Sequence, residues 1–455
     1  MASDVPADRI DAAFDRFAAW AADAAPPGAS VAFTDGDGLL RAGGIGDRDR
    51  DAGAPATPDT RFAVGSVTKP FTALAVLRLD ERGRVDVSDP VAEYVPYFED
   101  APGDPVTVRE LLSHTAGMPD DGLAFVAGDL DGWAAFQSFH AGTTDRRIEL
   151  DRYLYYNSGY AALARLVETV SGRAFPAFVA DEILDSLGMD RSTFDADVLD
   201  EGTDAMTPYA SGDGGVRPEP VSENPTAGSP LLAGPGGLVA SVADLTSFLR
   251  AHVAGSRVAG VPTERTREAV GTMERFVDGT EYAYGYGWEV RPFGTDTLVC
   301  HGGNTGYSAA FAGYLVDSGL GVAAACNAPA DVGSAATDAL AVLDGRDPGA
   351  VDPARAAERA VDALTGRYES VAGTGHATVE RDDAHLVVEF GGAVDPFTVR
   401  ALPTDLSGDR YRFTGLDRVE STTDLVFFSA EAPAFLFEGQ LLRRVGPVGD
   451  GESEA

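Results

Sequence analysis

Residues 65–73 read Gly65-Ser66-Val67-Thr68-Lys69-Pro70-Phe71-Thr72-Ala73. Because proline has no backbone N–H, Pro70 belongs in the first turn of a helix, and the pattern predicts a helix over residues 66–81. Ser66 and Lys69 are three residues apart, and residues at this spacing share one face of a helix. The stretch therefore predicts a hydroxyl and an amine side by side at a helix N-terminus.

Lys69 is the one lysine among the 35 basic residues of this 455-residue chain. An arginine at this position would supply charge but could not release its proton, whereas a lysine can. Nucleophilic catalysis needs a nucleophile, a base within reach and N–H groups that hold negative charge, and helix N-termini provide such groups. The sequence thus predicts Ser66 as a nucleophile and Lys69 as its base; a chance survival of one lysine is the alternative.

Motifs of other enzyme classes are missing from the sequence. No serine lies in a Gly-x-Ser-x-Gly elbow. The residue before Lys69 is a threonine, so the chain has no Walker A loop, and it contains neither His-Glu-x-x-His nor a complete Gly-x-Gly-x-x-Gly. None of these motifs therefore offers an alternative catalytic or nucleotide-binding site to the Ser-x-x-Lys pattern.

Further short motifs follow in a fixed order: Leu111-Leu112-Ser113-His114-Thr115-Ala116-Gly117-Met118-Pro119, Tyr155-Tyr156-Asn157, Leu187-Gly188-Met189, Ala233-Gly234-Pro235-Gly236-Gly237-Leu238 and His301-Gly302-Gly303. Together with Ser-x-x-Lys, this series resembles the class C β-lactamase-related serine hydrolases. That family includes penicillin-binding proteins, D-amino-acid peptidases and carboxylesterases. The resemblance spans roughly residues 10 to 345.

The resemblance implies roles for two further residues. Tyr155 would share the general-base role with Lys69, because a neighbouring ammonium favours loss of the phenol proton. Asn157 would hold the substrate amide or the Lys69 amine by hydrogen bonds. From the residues alone, a packed aromatic in a tyrosine-rich segment is the preferred interpretation of Tyr155, and a turn residue is the alternative for Asn157.

His301 lies at the end of an apolar strand and precedes two glycines, which let a backbone approach a ligand. The resemblance implies that the strand edge at Gly303 and Asn304 runs beside the substrate. It also implies an oxyanion hole formed by the backbone N–H groups of Asn304 and Ser66. True β-lactamases have Lys-Thr-Gly here. A largely neutral histidine suits a substrate carboxylate less well, which favours esterase or peptidase activity over β-lactam hydrolysis.

The other histidines and the cysteines do not indicate a second chemistry. His114 is interpreted as a structural residue that packs its loop, and the remaining histidines lack metal-ligand spacing. Cys300 and Cys326 are too few for a disulfide framework and are interpreted as small buried residues. A cysteine nucleophile at Cys300 would lack the other members of a catalytic set. No metal or organic cofactor is expected.

The resemblance implies an α/β fold of the β-lactamase/transpeptidase type, an antiparallel sheet flanked by helices plus an all-helical lobe, over residues 1–345. A linker with a short helix is expected at 346–362. Short alternating segments separated by turns then predict a small all-β, lipocalin-like barrel over 363–448, followed by a disordered tail at 449–455.

Hydrophobic periodicity predicts the individual elements of the first domain. Strands at both ends of the domain suggest one sheet assembled from distant parts of the chain. Helices are predicted at 10–24, 106–112, 159–171, 174–187 and 241–252, and strands at 31–33, 39–40, 284–290, 297–301, 308–316 and 321–327.

The charge balance limits the partners of the chain. It has 72 acidic and 35 basic residues, a net charge of −37. Such a chain repels nucleic acid and anionic membranes, and neither is expected as a partner. No basic region followed by an apolar run begins the sequence, and no apolar stretch reaches the ~18 residues that span a membrane. A cytoplasmic location is therefore expected.

Acidic excess with almost no lysine is typical of proteins from a salt-rich cytoplasm, where cations screen the repulsion that destabilises the compact state. We expect the chain to need molar salt to stay folded. Its thermal unfolding should occur at a lower temperature in dilute buffer than in molar KCl. A cooperative melt at the same temperature in both would contradict this interpretation.

Several alternatives remain open at this level. Within serine hydrolases, the candidates are a carboxylesterase, a peptidase for D-residue peptides, and a β-lactamase or penicillin-binding protein; the loops around 120–144 and 203–230 carry no readable substrate code. A non-catalytic ligand sensor or binding protein is the alternative of another class. The expected partner is a small-molecule or peptide substrate, and a homo-oligomer is possible.

Overall fold

The computed structural model describes residues 5–118, 132–141, 153–200, 204–212, 215–218, 228–255, 257–268, 271–275, 281–351, 361–370, 373, 375–382, 385–392, 396–405, 410–416, 422–428, 434–437 and 440–447. The chain divides into two compact units. The first unit comprises Met1–Glu274 and Tyr282–Pro348, and the second comprises Arg275–Glu281 and Gly349–Ala455. The predicted domain boundaries at 345 and 363 stay predictions.

The first unit contains a sheet made from both ends of its sequence. Strand β1 (Gly28–Thr34) pairs antiparallel with β15 (Gly321–Cys326) on one side and with β2 (Leu39–Asp49) on the other. The remaining strands of this sheet are β3 (Ala54–Pro55), β10 (Gly271–Arg275), β11 (Glu281–Tyr284), β12 (Glu289–Phe293), β13 (Asp296–Asn304) and β14 (Ala309–Leu315). The order in the described part of the sheet is β10-β11-β12-β13-β14-β15-β1-β2-β3.

Helices pack on both faces of this sheet, because alternate side chains of a strand point to opposite faces. Ala310 and Ala312 of β14 belong to the core that contains Phe248. Phe311 points the other way and touches Gly333. The helices that supply Phe248 and Gly333 are α9 (Val242–Ala254) and α11 (Val332–Asp344), and α1 (Ala7–Ala24) packs against α11.

The helical region of the first unit begins with α2 (Lys69–Glu81), which is buried on nearly every side. Phe71 of α2 stacks on Phe248 of α9 with ring centroids 4.0 Å apart, a contact worth about 1 kcal/mol beyond the buried area. The other helices are α3 (Val108–Leu112), α4 (Gly132–Ala141), α5 (Asn157–Ser171), α6 (Phe175–Val179), α7 (Asp185–Leu187), α8 (Ala233–Gly236), α10 (Thr263–Thr266) and α12 (Pro348–Val351).

Three short strand pairs complete the described part of the first unit: β4 (Arg61–Ala63) with β7 (Val239–Ser241), β5 (Tyr209–Gly212) with β6 (Gly215–Pro218), and β8 (Arg257–Val258) with β9 (Val261–Pro262). Thr107 caps α3 through a capping box with Glu110. No helix in the described parts of the chain is long and apolar enough to cross a membrane.

The second unit contains a closed barrel, which confirms the predicted all-β domain. Its interior is filled by alternating apolar residues such as Tyr368, Phe427 and Phe435. Eight strands close it in sequence order: β16 (Gly366–Ser370), β17 (Gly375–Asp382), β18 (His385–Gly392), β19 (Phe397–Asp405), β20 (Arg410–Leu416), β21 (Thr422–Phe428), β22 (Ala434–Phe437) and β23 (Gln440–Gly446).

One predicted strand differs from the structure because a turn interrupts it. The strand predicted at 284–290 is two strands, β11 and β12, separated by a turn in which Gly287 has a φ of 80°. A positive φ favours glycine. Helix α11 runs to Asp344 and ends at Gly345, whose φ is 77°. The tail at 449–455 and residues 352–360 of the expected linker and short helix lie outside the described residues.

The burial of His252 in α9 leads to a prediction about the stability of the folded chain at acid pH. Its side chain is 2% exposed, and burial lowers its pKa from 6.5 to about 4. Between these values the unfolded chain binds a proton that the folded chain does not, so stability falls as the pH falls through this window. His252→Leu should flatten the dependence of the unfolding free energy on pH by up to about 1.4 kcal/mol per pH unit there.

Urea unfolding in molar KCl, followed between about pH 4 and pH 7, measures this slope for the two chains. The many surface carboxylates titrate in both proteins, so their contribution cancels when the two slopes are compared. Identical slopes would contradict the buried, neutral state of His252.

Candidate active site

A tight turn carries Ser66 to the start of α2. Residues Gly65–Thr68 form a 3-10 turn, and the α-helix itself begins at Lys69. The predicted helix start near Ser66 is therefore a 3-10 turn rather than α-helix, with Pro70 in the first α-helical turn as expected. The hydroxyl of Thr68 donates to the Gly65 carbonyl at 2.7 Å and accepts from the Leu238 N–H at 3.1 Å. These bonds hold the turn against the segment before β7.

The end of β13 lies directly against this turn, and only glycines permit the approach. Gly65 has a φ of 53°, and a Cβ there would lie 2.9 Å from the Asn304 nitrogen. A Cβ on Gly303 would lie 1.9 Å from the Val64 carbonyl oxygen and 3.0 Å from the Ser66 nitrogen. The predicted site residues Gly303 and Asn304 are thus beside Ser66. Whether their N–H groups form an oxyanion hole stays a prediction.

Lys69 is fully buried. Its Nζ donates to Ser66 Oγ at 3.0 Å, to Asn157 Oδ1 at 2.9 Å and to the Pro235 carbonyl at 2.9 Å. The ammonium also lies 4.6 Å from the centroid of the Tyr155 ring, a cation–π distance. These three oxygens are neutral, and they come from three separate parts of the chain.

Tyr155 and Ser66 complete the cluster. The Tyr155 hydroxyl donates to Ser66 Oγ at 2.8 Å. Ser66 therefore has both an amine and a phenol within hydrogen-bond distance. Unlike Lys69, Ser66 keeps part of its surface exposed and lines a cavity of about 760 Å³, as do Asn157 and Asn304. Ser66 and Tyr155 are thus both half-buried, while Lys69 is packed behind them.

Three other tyrosines surround this cluster, and burial raises the pKa of each above its usual value: Tyr153, Tyr160 and Tyr284. These phenols remain protonated, and Tyr160 donates to the Leu112 carbonyl at 2.7 Å. Of the four, Tyr155 is the one whose hydroxyl is bonded to Ser66.

The structure places His301 behind the strand edge, 2% exposed. Its Nδ1 lies 2.6 Å from the Gly302 carbonyl, so Nδ1 carries the proton, and Nε2 accepts from the Tyr284 hydroxyl at 2.9 Å. Burial, and then the charge of Lys69, lower the pKa of His301 to about 3. The imidazole is therefore neutral near pH 7. A direct contact between His301 and a substrate stays a prediction.

His114 holds the segment that carries Tyr155, a contact that the motif did not reveal. Its carbonyl accepts from the Leu154 N–H at 2.9 Å, and its Nδ1 accepts from the Tyr156 N–H at 3.1 Å. Its ring lies 4.5 Å from that of Tyr155, and burial lowers its pKa well below the usual value. The structural interpretation of His114 agrees with these contacts.

The Pro235 carbonyl is the site component that sequence reasoning did not identify as functional. The surrounding motif, residues 233–238, was recognised without a role. Gly234 of that motif accepts from the Thr72 hydroxyl at 2.7 Å, which ties it to α2. Every residue type has a backbone carbonyl, so the identity of residue 235 does not indicate an acceptor. Only the position of Pro235 in the motif could have indicated this role.

The remaining expectations concern cysteines, metals and loops. Cys300 and Cys326 are buried thiols that do not form a disulfide. Within the described ranges, no group of three or more His, Cys, Asp or Glu side chains is placed to hold a metal ion. Of the loops expected to select the substrate, the structure describes residues 132–141 of 120–144 and residues 204–212, 215–218 and 228–230 of 203–230; the rest lie outside the described residues.

Two family models match this chain, and they meet close to the boundary at Pro348 between the two compact units. The family model described as Beta-lactamase matches residues 10–347, and the model described as the Pab87 octamerisation domain matches residues 348–437. Among curated relatives, Protein flp of Staphylococcus aureus (strain MW2) is 27% identical over 179 residues, which are 37% of this chain and 35% of that protein. The chain thus spans about a third of the length of that relative.

Solved structures agree with the predicted fold. The octameric penicillin-binding protein homologue from Pyrococcus abyssi is 27% identical, with a TM-score of 0.73 over 96% of this chain and 99% of that one. A D-stereospecific amidohydrolase from Streptomyces sp. has a TM-score of 0.56 and 24% identity over 70% of this chain and 94% of its own. The β-lactamase/transpeptidase-like fold, followed by a barrel, is therefore confirmed.

Proposed function

This chain belongs to the beta-lactamase family, and we propose that it is a serine hydrolase that cleaves small esters or amides through an acyl-enzyme on Ser66. One observation carries the proposal: Ser66 Oγ lies 3.0 Å from Lys69 Nζ and 2.8 Å from Tyr155 Oη while its side chain faces a cavity. A serine in this setting has a base within hydrogen-bond reach and room for a substrate carbonyl.

The reaction proceeds in two acyl transfers. Ser66 Oγ forms a bond to the substrate carbonyl carbon while its proton passes to the Tyr155–Lys69 pair, which in its reactive form holds one proton fewer than in the resting site. The negative charge on the former carbonyl oxygen is stabilised by the backbone N–H groups of Ser66 and Asn304. The intermediate collapses, the proton passes from the Tyr155 hydroxyl to the departing alcohol or amine, and the acyl group stays on Ser66. Water, deprotonated by the same pair, then attacks the ester and regenerates the serine.

Asn157 and the Pro235 carbonyl hold the Lys69 amine in place during these steps. With both acceptors engaged at 2.9 Å, the Nζ atom stays directed at Ser66. A base must be within about 3.2 Å of the proton it removes, so this positioning supports the role of Lys69. Asn157 also lines the cavity, where its amide could contact the substrate.

The neutral His301 favours esters and amides over β-lactams. The pKa of about 3 leaves no positive charge on this side chain near neutral pH, and a β-lactam carries a carboxylate that a cationic side chain would bind. Carboxylesterase and D-residue peptidase activities are the preferred alternatives within the class. β-Lactamase or penicillin-binding activity remains the rival, which the names of the similar proteins support.

A non-catalytic sensor is the alternative of another class. Such a sensor or binding protein would act through its barrel, and the match of residues 348–437 to an octamerisation domain supports a homo-oligomer. Sensor and enzyme differ in turnover, because a sensor is acylated once and remains so, whereas an enzyme regenerates its serine.

Intact-mass analysis in molar KCl after treatment with a fluorophosphonate tests the proposal. We expect one adduct, on the peptide that contains Ser66, and continuous product release when an ester or amide replaces the probe. Stable acylation without release would favour the sensor. No adduct on a folded protein would rule out hydrolase chemistry at Ser66.

A further inference from the structure

The cavity beside Ser66 differs in character from the rest of the chain. Charged residues make up 24% of the sequence, yet none of the described residues that line this cavity is charged. Its walls combine glycines with apolar side chains: Pro176, Phe194, Leu199, Leu232, Leu238 and Tyr307. A volume of about 760 Å³ lies in the range of sites that enclose a small organic molecule.

The cavity lies on the acyl side of the bond to be broken. In the proposed mechanism the departing group leaves next to Tyr155, since this hydroxyl returns the proton. Ser66, Asn157 and Asn304 line the cavity, whereas Tyr155 and Lys69 are not among the described residues that do so. The part of the substrate that enters the cavity is therefore the part that stays on Ser66.

A carboxylate in this cavity would find no described cation to offset its lost hydration. Lys69 is fully buried behind Ser66 and His301 is 2% exposed, with a pKa lowered to about 3. Burying an unpaired charge is strongly unfavourable, whereas burying apolar surface is favourable.

We propose that this cavity is an acyl-group pocket that selects neutral, apolar acyl groups and rejects acyl groups that end in a carboxylate. The proposal rests on the proposed function, because it defines the acyl side by the direction of cleavage. The substrate class is then esters or amides of medium-length aliphatic or aromatic acids.

A matched pair of esters tests the selection: p-nitrophenyl hexanoate and the mono-p-nitrophenyl ester of adipic acid. They share the departing group and the chain length and differ by the terminal carboxylate. At 1 M KCl charges are screened beyond about 3 Å, so the net charge of −37 does not produce the difference. We expect kcat/KM to be at least about 30-fold higher for the hexanoate, a factor that corresponds to about 2 kcal/mol. Equal values, or a preference for the adipate, would overturn the proposal.

Leu232→Lys places a cation in the cavity wall and should lower the hexanoate-to-adipate ratio at least about fivefold. Leu39→Lys is the matched control, because Leu39 is 51% exposed and does not line the cavity; its ratio should equal that of the wild type. Ser229→Lys, at a second lining residue, replaces Leu232→Lys if the latter does not fold. An unchanged ratio in a folded cavity variant would contradict the proposal.

Binding to Ser66→Ala separates this proposal from the proposed function. Hexananilide and the monoanilide of adipic acid are compared by calorimetry on this variant, which cannot cleave them. Preferential binding of hexananilide, even if the wild type turned over no ester, would support the pocket while the hydrolase proposal failed. Turnover of esters without such a preference would support the hydrolase and overturn the pocket.

Discussion

Ser66→Ala is expected to lower kcat/KM for the best ester substrate by a factor on the order of 10⁵ or more and to abolish the fluorophosphonate adduct. In the proposed mechanism this hydroxyl forms the acyl bond, and it lies 3.0 Å from Lys69 Nζ and 2.8 Å from Tyr155 Oη. The alanine side chain leaves the Lys69 bonds to Asn157 and Pro235 intact. The loss should therefore appear in chemistry and not in folding.

Ser186→Ala is the matched control for this result. Ser186 is an exposed helix residue whose hydroxyl donates to the Ile183 carbonyl at 2.8 Å, and its replacement should leave activity and labelling unchanged. Both variants should melt like the wild type in molar KCl. An adduct that persists in Ser66→Ala would place the nucleophile elsewhere.

Lys69→Arg is expected to lower kcat by about 10²- to 10⁴-fold, the usual contribution of a general base. Arginine keeps the positive charge but does not give up its proton. If Lys69 acted only through its charge, the arginine variant would keep much of the activity that Lys69→Met loses. We expect the two variants to be equally impaired, as measured by kcat and by the rate of fluorophosphonate labelling.

Rescue by an added amine distinguishes a lost base from a misplaced side chain. Lys69→Ala leaves a space beside Ser66, and ethylamine should restore part of the activity in proportion to its unprotonated fraction, so the rescue should grow as the pH rises. Wild-type activity in Lys69→Arg would remove lysine from the base role. Rescue that follows the total amine concentration would do the same.

Contacts between residues that are close in the chain could be predicted from the sequence. The 3-residue spacing of Ser66 and Lys69 brings the two side chains together within a single helical turn, and Pro70 locates that turn. The barrel strands also followed from their alternating pattern, because each strand has one face in the barrel core and one outside. The interruption at Gly287 was missed, since its positive φ depends on the turn between two strands and not on the apolar pattern around it.

Other features could not be derived from spacing. Tyr155 and Asn157 reach Lys69 and Ser66 across almost 90 positions of sequence, with separations of 89 and 88 residues, and only the recognised motif order indicated them. The Pro235 carbonyl, 166 residues from Lys69, is a backbone group without any side-chain signature. The environment of His301 likewise depends on the residues packed around it, since burial is what lowers its pKa.

The sequence by itself determined the pairing of the Ser66 hydroxyl with the Lys69 amine, the acidic composition, the barrel pattern and, through its ordered motifs, the family. The tertiary structure alone decided which oxygens hold Lys69, which tyrosine meets Ser66, that His301 is neutral and that the cavity beside the nucleophile has no described charge. The physical reason is distance along the chain: helix and strand periodicity report on neighbours a few residues apart, whereas the charge and access of a site depend on groups that meet only when the whole chain packs.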